Sequence, residues 1–277
     1  MANSLLSASS YNALPHIDAM KDVAAQNADA RHVLLRIISS YRLNRHFSIH
    51  LVHKHFDLEE GRVMVYETVR GPTHPDFILC SPRVPEKCEN LHGLYFRARP
   101  DGTMAAYEYT TDPCEDLSEH TDFVAEFVAA VLRLGVQDIF ALTGKEPETK
   151  HYTEFEMSDL SSTILVNNPM WLPGPSERST STDWISSEGV DPQPADGNGK
   201  GPGIITLTDC TKTTSGGHYN FTCSETRNGT HYQKRMVVWD EGKGGQQEQL
   251  TLNGEIIPID SELFAIISNA RQMVKPF

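Results

Sequence analysis

The sequence predicts an α+β fold: a mainly antiparallel sheet, curved or barrel-like, carrying three or four packed helices. Three observations predict it. Short segments rich in β-branched and aromatic residues alternate with period two along much of the chain. Neighbouring segments are joined by hairpin-length connections, too short for the helical crossovers that parallel strands need. A few segments instead carry apolar residues at helical spacing, which suits helices laid on a sheet face.

The elements follow in order. Residues 1–15 read as a flexible arm, and residues 16–171 as the main α+β domain. Within it, Val33, Leu34, Ile37, Ile38 and Tyr41 line one face of a helix. Period two then takes over at Phe47, Ile49 and Leu51, and "RVMVYETV" follows an acidic turn, predicting a hairpin between the two. "DFILCSP" reads as a strand. "LYFRARPDGTMAAYEYT" reads as a hairpin turning at Pro100-Asp101-Gly102, where Pro sets φ and Gly accepts a positive one. Ser118 is placed to cap a helix whose apolar face runs from Phe123 through Phe127 and Val131 to Leu134, with Gly135 to end it. "HYTEFEMSD" alternates Tyr152, Glu154 and Glu156 against Thr153, Phe155 and Met157, and the acidic face reads as solvated.

Residues 172–203 are dominated by Pro, Gly, Ser, Thr and Asp, and read as a polar linker or lid. Residues 204–277 supply further strands and a helix opened by Asp260 or Ser261, completing the same domain.

Composition narrows the function classes. A formal net charge of −13 disfavours nucleic acid and anionic membrane surfaces, which require clustered Lys and Arg. No window approaches the run of about 18 apolar residues of a membrane helix. The first residues lack the pattern of a secretory signal, and the 5 cysteines form no CxxC pair, so a cytoplasmic chain with reduced thiols is expected. No Gly-x-Ser-x-Gly elbow and no phosphate loop is present. The cysteines read as core or as thiols beside carboxylates, not as nucleophiles.

The stretch "HFSIHLVHKHF" is the candidate chemistry, since it gathers His46, His50, His53 and His55 out of 12 histidines in all. A strand running through it would put His53 and His55 on the face of Phe47, Ile49 and Leu51, with His46 and His50 on the other. Glu59 comes four residues after His55. Two His and one carboxylate form a ligand set suited to a divalent metal, zinc or iron. "HKHFDLE" thereby resembles the first motif of cupins, over those residues alone, with Phe47 where cupins carry glycine and without their second motif at the expected distance. The resemblance implies His53, His55 and Glu59 as metal ligands.

Three readings of the histidines stay open: a water-satisfied strand end, metal ligands, or metal-free acid–base groups that take His53, His55 and Glu59 as the catalytic set. The expected function is a small-molecule-acting enzyme with a His-containing pocket, its cofactor left open between none and a divalent metal, zinc or iron; the strand aromatics fit either the pocket lining or ordinary core. Isomerase, cyclase, lyase and oxygenase chemistry are all compatible with it. The alternative is a non-catalytic protein that binds a small molecule or a protein partner, with Trp171 and Trp184 as anchors near the polar excursion.

Overall fold

The computed structural model describes residues 5–72, 74–144, 152–157, 160–167, 180–186, 204–211, 224–227, 230–233, 237–240, 249–252, 255–258 and 260–274. In chain order the elements are α1 (Ala8–Asn12), α2 (Val23–Gln26), α3 (Ala28–Ser40), β1 (Ser48–Leu51), β2 (Val63–Gly71), β3 (His74–Arg83), β4 (His92–Ala98) and β5 (Met104–Thr110). Then come α4 (Thr121–Leu134), β6 (Phe140–Thr143), β7 (Tyr152–Met157), β8 (Ser162–Asn167), β9 (Thr180–Ser186) and β10 (Ile204–Thr211). The chain continues with β11 (Ser224–Arg227), β12 (Thr230–Gln233), β13 (Val237–Asp240), β14 (Gln249–Leu252), β15 (Glu255–Ile257) and α5 (Glu262–Val274).

The first ten strands form a curled, mixed sheet in the order β1-β6-β4-β5-β2-β3-β8-β7-β10-β9, and β9 pairs back onto β1 to close the circle. The sheet is not purely antiparallel, because β2 runs parallel to β5 and β7 parallel to β10. β11 pairs with β12, and β13, β14 and β15 form a separate small sheet.

Alternation sorts side chains between the two faces of the curled sheet. Phe47, Ile49 and Leu51 point outward with Phe140, Leu142 and Trp184, and α3 and α4 cover them through Leu34, Leu35, Phe123, Phe127 and Val131. The guanidinium of buried Arg31 on α3 lies 4.4 Å from the Trp184 ring centre, which ties α3 to β9. A second outer patch joins Phe77, Leu79, Phe155, Met157, Ile164 and Val166 to Leu263, Ile266, Ile267 and Ala270 of α5. Tyr66, Cys80, Tyr95, Tyr107, Ala141 and Leu165 form a third cluster, on the inner face.

Several local expectations hold. Gly102 turns β4 into β5 at φ +84, and Gly135 ends α4 at φ +68 in the left-handed region. Ser261 caps α5 by accepting from Phe264 N at 3.2 Å. Ser118 does not cap α4. It sits in a short 3-10 turn, Leu117–His120, whose cap is the Asp116 side chain accepting from Ser118 N, so the α-helix proper begins at Thr121.

Three segments differ from expectation. β1 and β2 do not form a hairpin. β1 pairs with β6 and β9, and beyond Leu51 the chain leaves the sheet, with Lys54 bonding Pro15 and Ile17 of the N-terminal segment. Residues 8–12, expected within a flexible arm, form α1, and Ala8, Tyr11 and Leu14 are buried in the inner-face cluster. Within the expected 172–203 linker, residues 180–186 are strand β9; the rest of it lies outside the described residues. The Ser/Thr composition of "TSTDWIS" hides a period-two pattern in which Asp183 faces inward while Trp184 packs outward.

Candidate functional site

The inner face gathers an unusual density of buried polar side chains. His50, His53, His55, Glu108, Glu154, Glu156, Thr163 and Asp183 are all buried. Few ionisable groups survive such burial without partners, so their bonding decides what they do.

His53 and His55 lie just past β1, where the chain turns away from β6. His53 Nδ1 donates to the carbonyl of Leu51 at 2.7 Å, which turns Nε2 toward the interior. That Nε2 is 3.1 Å from His55 Nε2. His55 Nε2 is in turn 3.2 Å from Glu154 Oε2, while its Nδ1 donates to Glu156 Oε1 at 2.9 Å. Thr163 Oγ1 donates to the other oxygen of Glu154 at 2.6 Å and so turns Oε2 toward the histidines. The ligand-type atoms of His53, His55 and Glu154 all lie within 4.8 Å of one another. Donors about 2.0–2.1 Å from a tetrahedral zinc ion stand about 3.3 Å apart, so the 3.1 and 3.2 Å contacts match edges of such a polyhedron. Each ligand is also held from behind, by a carbonyl, a carboxylate or a hydroxyl, as metal-binding side chains are. Burial, then the neighbouring His55 and His50, pushes the His53 imidazole well below its usual range, toward the neutral form a metal takes.

Beside this trio, His50 stands opposite Asp183 in the β1–β9 register and donates from Nδ1 to Asp183 Oδ2 at 3.0 Å. Thr143 Oγ1 supports the same carboxylate at 3.2 Å. Glu108 accepts from Tyr11 Oη at 2.7 Å and Tyr66 Oη at 3.2 Å, and burial pushes its carboxyl up to about 7. Its neighbour Tyr107 has no opposite number in the β4–β5 register, which steps from Glu108 to Ala106. A bulge at that point aims consecutive side chains, Tyr107 and Glu108, into one interior.

The structure brings His53 and His55 together but not Glu59, whose side chain is 81% exposed and pairs with Arg62 at 3.0 Å. The carboxylate at the histidines is Glu154, from a strand about a hundred residues later. The cupin-like spacing therefore does not become a cupin-like ligand set. His46 is partly exposed and bonds Glu115 at 2.5 Å. His50, expected on the opposite face from His53, has its ring centre 5.1 Å from that of His53, because the strand ends at Leu51 and alternation no longer applies beyond it. Glu154 and Glu156 share a face with Tyr152 as expected, but that face is the interior and not solvent. The strand's own residues carried no signal of this, since apolar Phe155 and Met157 show only that its other face is covered. Cys80 is buried core, and its thiol is raised well above its ordinary range by burial and by Glu108 and Glu154.

No family model, curated protein or solved structure matches this chain. No helix among the described residues is long and apolar enough to cross a membrane.

Proposed function

We propose that the protein binds a divalent transition metal, zinc or iron, through His53 Nε2, His55 Nε2 and Glu154 Oε2, and uses it on a small organic molecule admitted to the interior of the curled sheet. The observation that carries this reading is the convergence of three ligand atoms whose side chains are all oriented from behind. Three protein ligands converge among the described residues, and a three-ligand set is the pattern of catalytic rather than structural sites. Without an ion, the close pair of Nε2 atoms needs a proton between them, and since both Nδ1 atoms donate, one of the two rings then carries a proton on each nitrogen; a metal ion takes that proton's place.

The test uses the full chain, stripped by chelator and titrated with Zn²⁺ or Co²⁺. One ion per chain is expected, and its loss in folded H53Q and E154Q proteins. Absence of stoichiometric binding in folded wild-type protein overturns the metal reading. The cluster is then a proton-bridged structural network, and the non-catalytic alternative gains.

A further inference from the structure

Two polar atoms in the interior have no hydrogen-bond partner among the described residues: Nε2 of His50 and the hydroxyl of Tyr107. Neither residue is slack. The His50 ring is fixed by Asp183 at one nitrogen, by the Tyr95 ring stacked on it at 3.7 Å and 18°, and by His53 alongside. Tyr107 is 2% exposed, and its ring centre lies 6.4 Å from that of His50 and 6.1 Å from that of Tyr95. Orienting an imidazole so firmly while leaving its outer nitrogen bare is costly unless something else meets that nitrogen.

The Asp183 carboxylate accepts, so His50 Nδ1 donates to it and Nε2 is the edge of the ring left to meet a ligand. Burial raises the Tyr107 phenol well above its ordinary range, so it keeps its proton and donates. A phenol and an imidazole edge without partners among the described residues, on rings whose centres lie 6.4 Å apart, match a hydroxyl group, which can both donate and accept. A carboxylate ligand fits badly, because it meets the carboxyl groups of Asp183 and Glu108 nearby. The flanking surfaces are the rings of Tyr66, Tyr95 and Tyr107, which favour a flat apolar body.

We propose that His50 Nε2 and Tyr107 Oη bind the hydroxyl of a small, uncharged, planar substrate, phenolic or enolic in type. This inference rests on the small-molecule part of the function proposed above, but not on the metal.

The probe is phenol, titrated into the full chain in the presence and absence of zinc and followed by protein NMR shifts. Its methyl ether, anisole, serves as the partner probe because it keeps the ring and loses the O–H. Phenol is expected to saturate wild-type protein, with anisole at least tenfold weaker. Y107F and H50Q should each bind phenol at least tenfold more weakly. Y107F should melt no lower than wild type, since its hydroxyl has no bond to lose among the described residues. Should H50Q fail to fold, Y107F and the anisole comparison decide the matter. Equal binding of phenol and anisole, unchanged phenol affinity in Y107F, or no phenol binding at millimolar concentration each overturns the proposal. Zinc stoichiometry, measured on the same samples, reports separately on the metal site, so either reading can fail while the other stands.

Discussion

Nδ1 of His55 lies 2.9 Å from Oε1 of Glu156, so the ring's other nitrogen is aimed at His53 and Glu154. Glu156 touches no other candidate ligand, yet it sets the orientation and basicity of one. Replacing it by Gln keeps an oxygen acceptor but removes the charge. We expect E156Q to bind one zinc ion still, with affinity lower by about 10–100-fold. E59Q, on the exposed turn, should bind zinc as wild type does. Competition titrations against a chromophoric chelator measure both. Equal affinities for E156Q and wild type would mean that the carboxylate is only a structural partner of the imidazole.

Glu108 makes stability depend on pH in a sense opposite to most carboxylates. Burial, the first cause, pushes its folded-state value from 4.5 up to about 7, while His50, the Tyr11 bond and His55 pull it down and Glu154 adds to the rise. The folded state therefore holds this proton more tightly than the unfolded chain. Its contribution is fully present below about pH 4.5 and is lost as pH rises through about 7. At 1.36 kcal/mol per pH unit the loss is about 3 kcal/mol. E108Q, which keeps acceptors for Tyr11 and Tyr66, should match wild type near pH 4.5 and exceed it by up to about 3 kcal/mol at pH 8. Urea unfolding at both pH values checks this; a difference that is flat with pH removes the argument.

How far the sequence could have led to this site depends on which link is asked about. The α4 helix and the β4–β5 hairpin were legible because their signals are local: Gly135 at the end of an apolar helical face, and Pro100-Asp101-Gly102 between two alternating runs. His53 and His55 were legible as a pair because they are adjacent in the chain. Their carboxylate was not. Glu59 is near in sequence, but the turn carries it into solvent, whereas Glu154 arrives through the pairing of β7 with β8 and β10. Closure of the sheet was hidden as well, since it depends on β9, whose seven residues contain four Ser or Thr and sit inside a polar stretch. The acidic face of β7 looked solvated because nothing in its own residues reveals that the sheet curls around it.

Phe127 offers a test of the outer layer. Its ring is 0% exposed, on α4, within the cluster that joins α3 and α4 to the outward residues of β1, β6 and β9. Truncation to Ala leaves a cavity among rings and branched side chains that are held by a closed sheet and cannot collapse freely. Phe127→Ala should cost about 3–5 kcal/mol in denaturant unfolding. A loss under about 1 kcal/mol would mean that α4 is not seated on the sheet as described.

The N-terminal segment provides the last prediction. Tyr11 on α1 reaches across the chain to donate its hydroxyl to Glu108 Oε1 at 2.7 Å, and its ring is 2% exposed among the inner-face residues. Asn12 fixes the same turn by exchanging two bonds with the backbone of Leu58, at 3.0 and 2.7 Å. A loose arm has no reason to bury a tyrosine or to spend its hydroxyl on a buried carboxyl. Tyr11→Phe keeps the packing and removes only the donor, so Glu108 is left with Tyr66 alone. Near neutral pH the expected cost is about 1–3 kcal/mol. The Tyr11 bond also lowers the Glu108 carboxyl, so in Y11F that group should titrate higher than its present value of about 7. The gap between wild-type and E108Q stabilities should then still open near pH 4.5 but grow larger and level off at a higher pH when both carry the Y11F change. A change below about 0.5 kcal/mol, with no widening of that gap, returns residues 1–15 to the status of a dispensable arm.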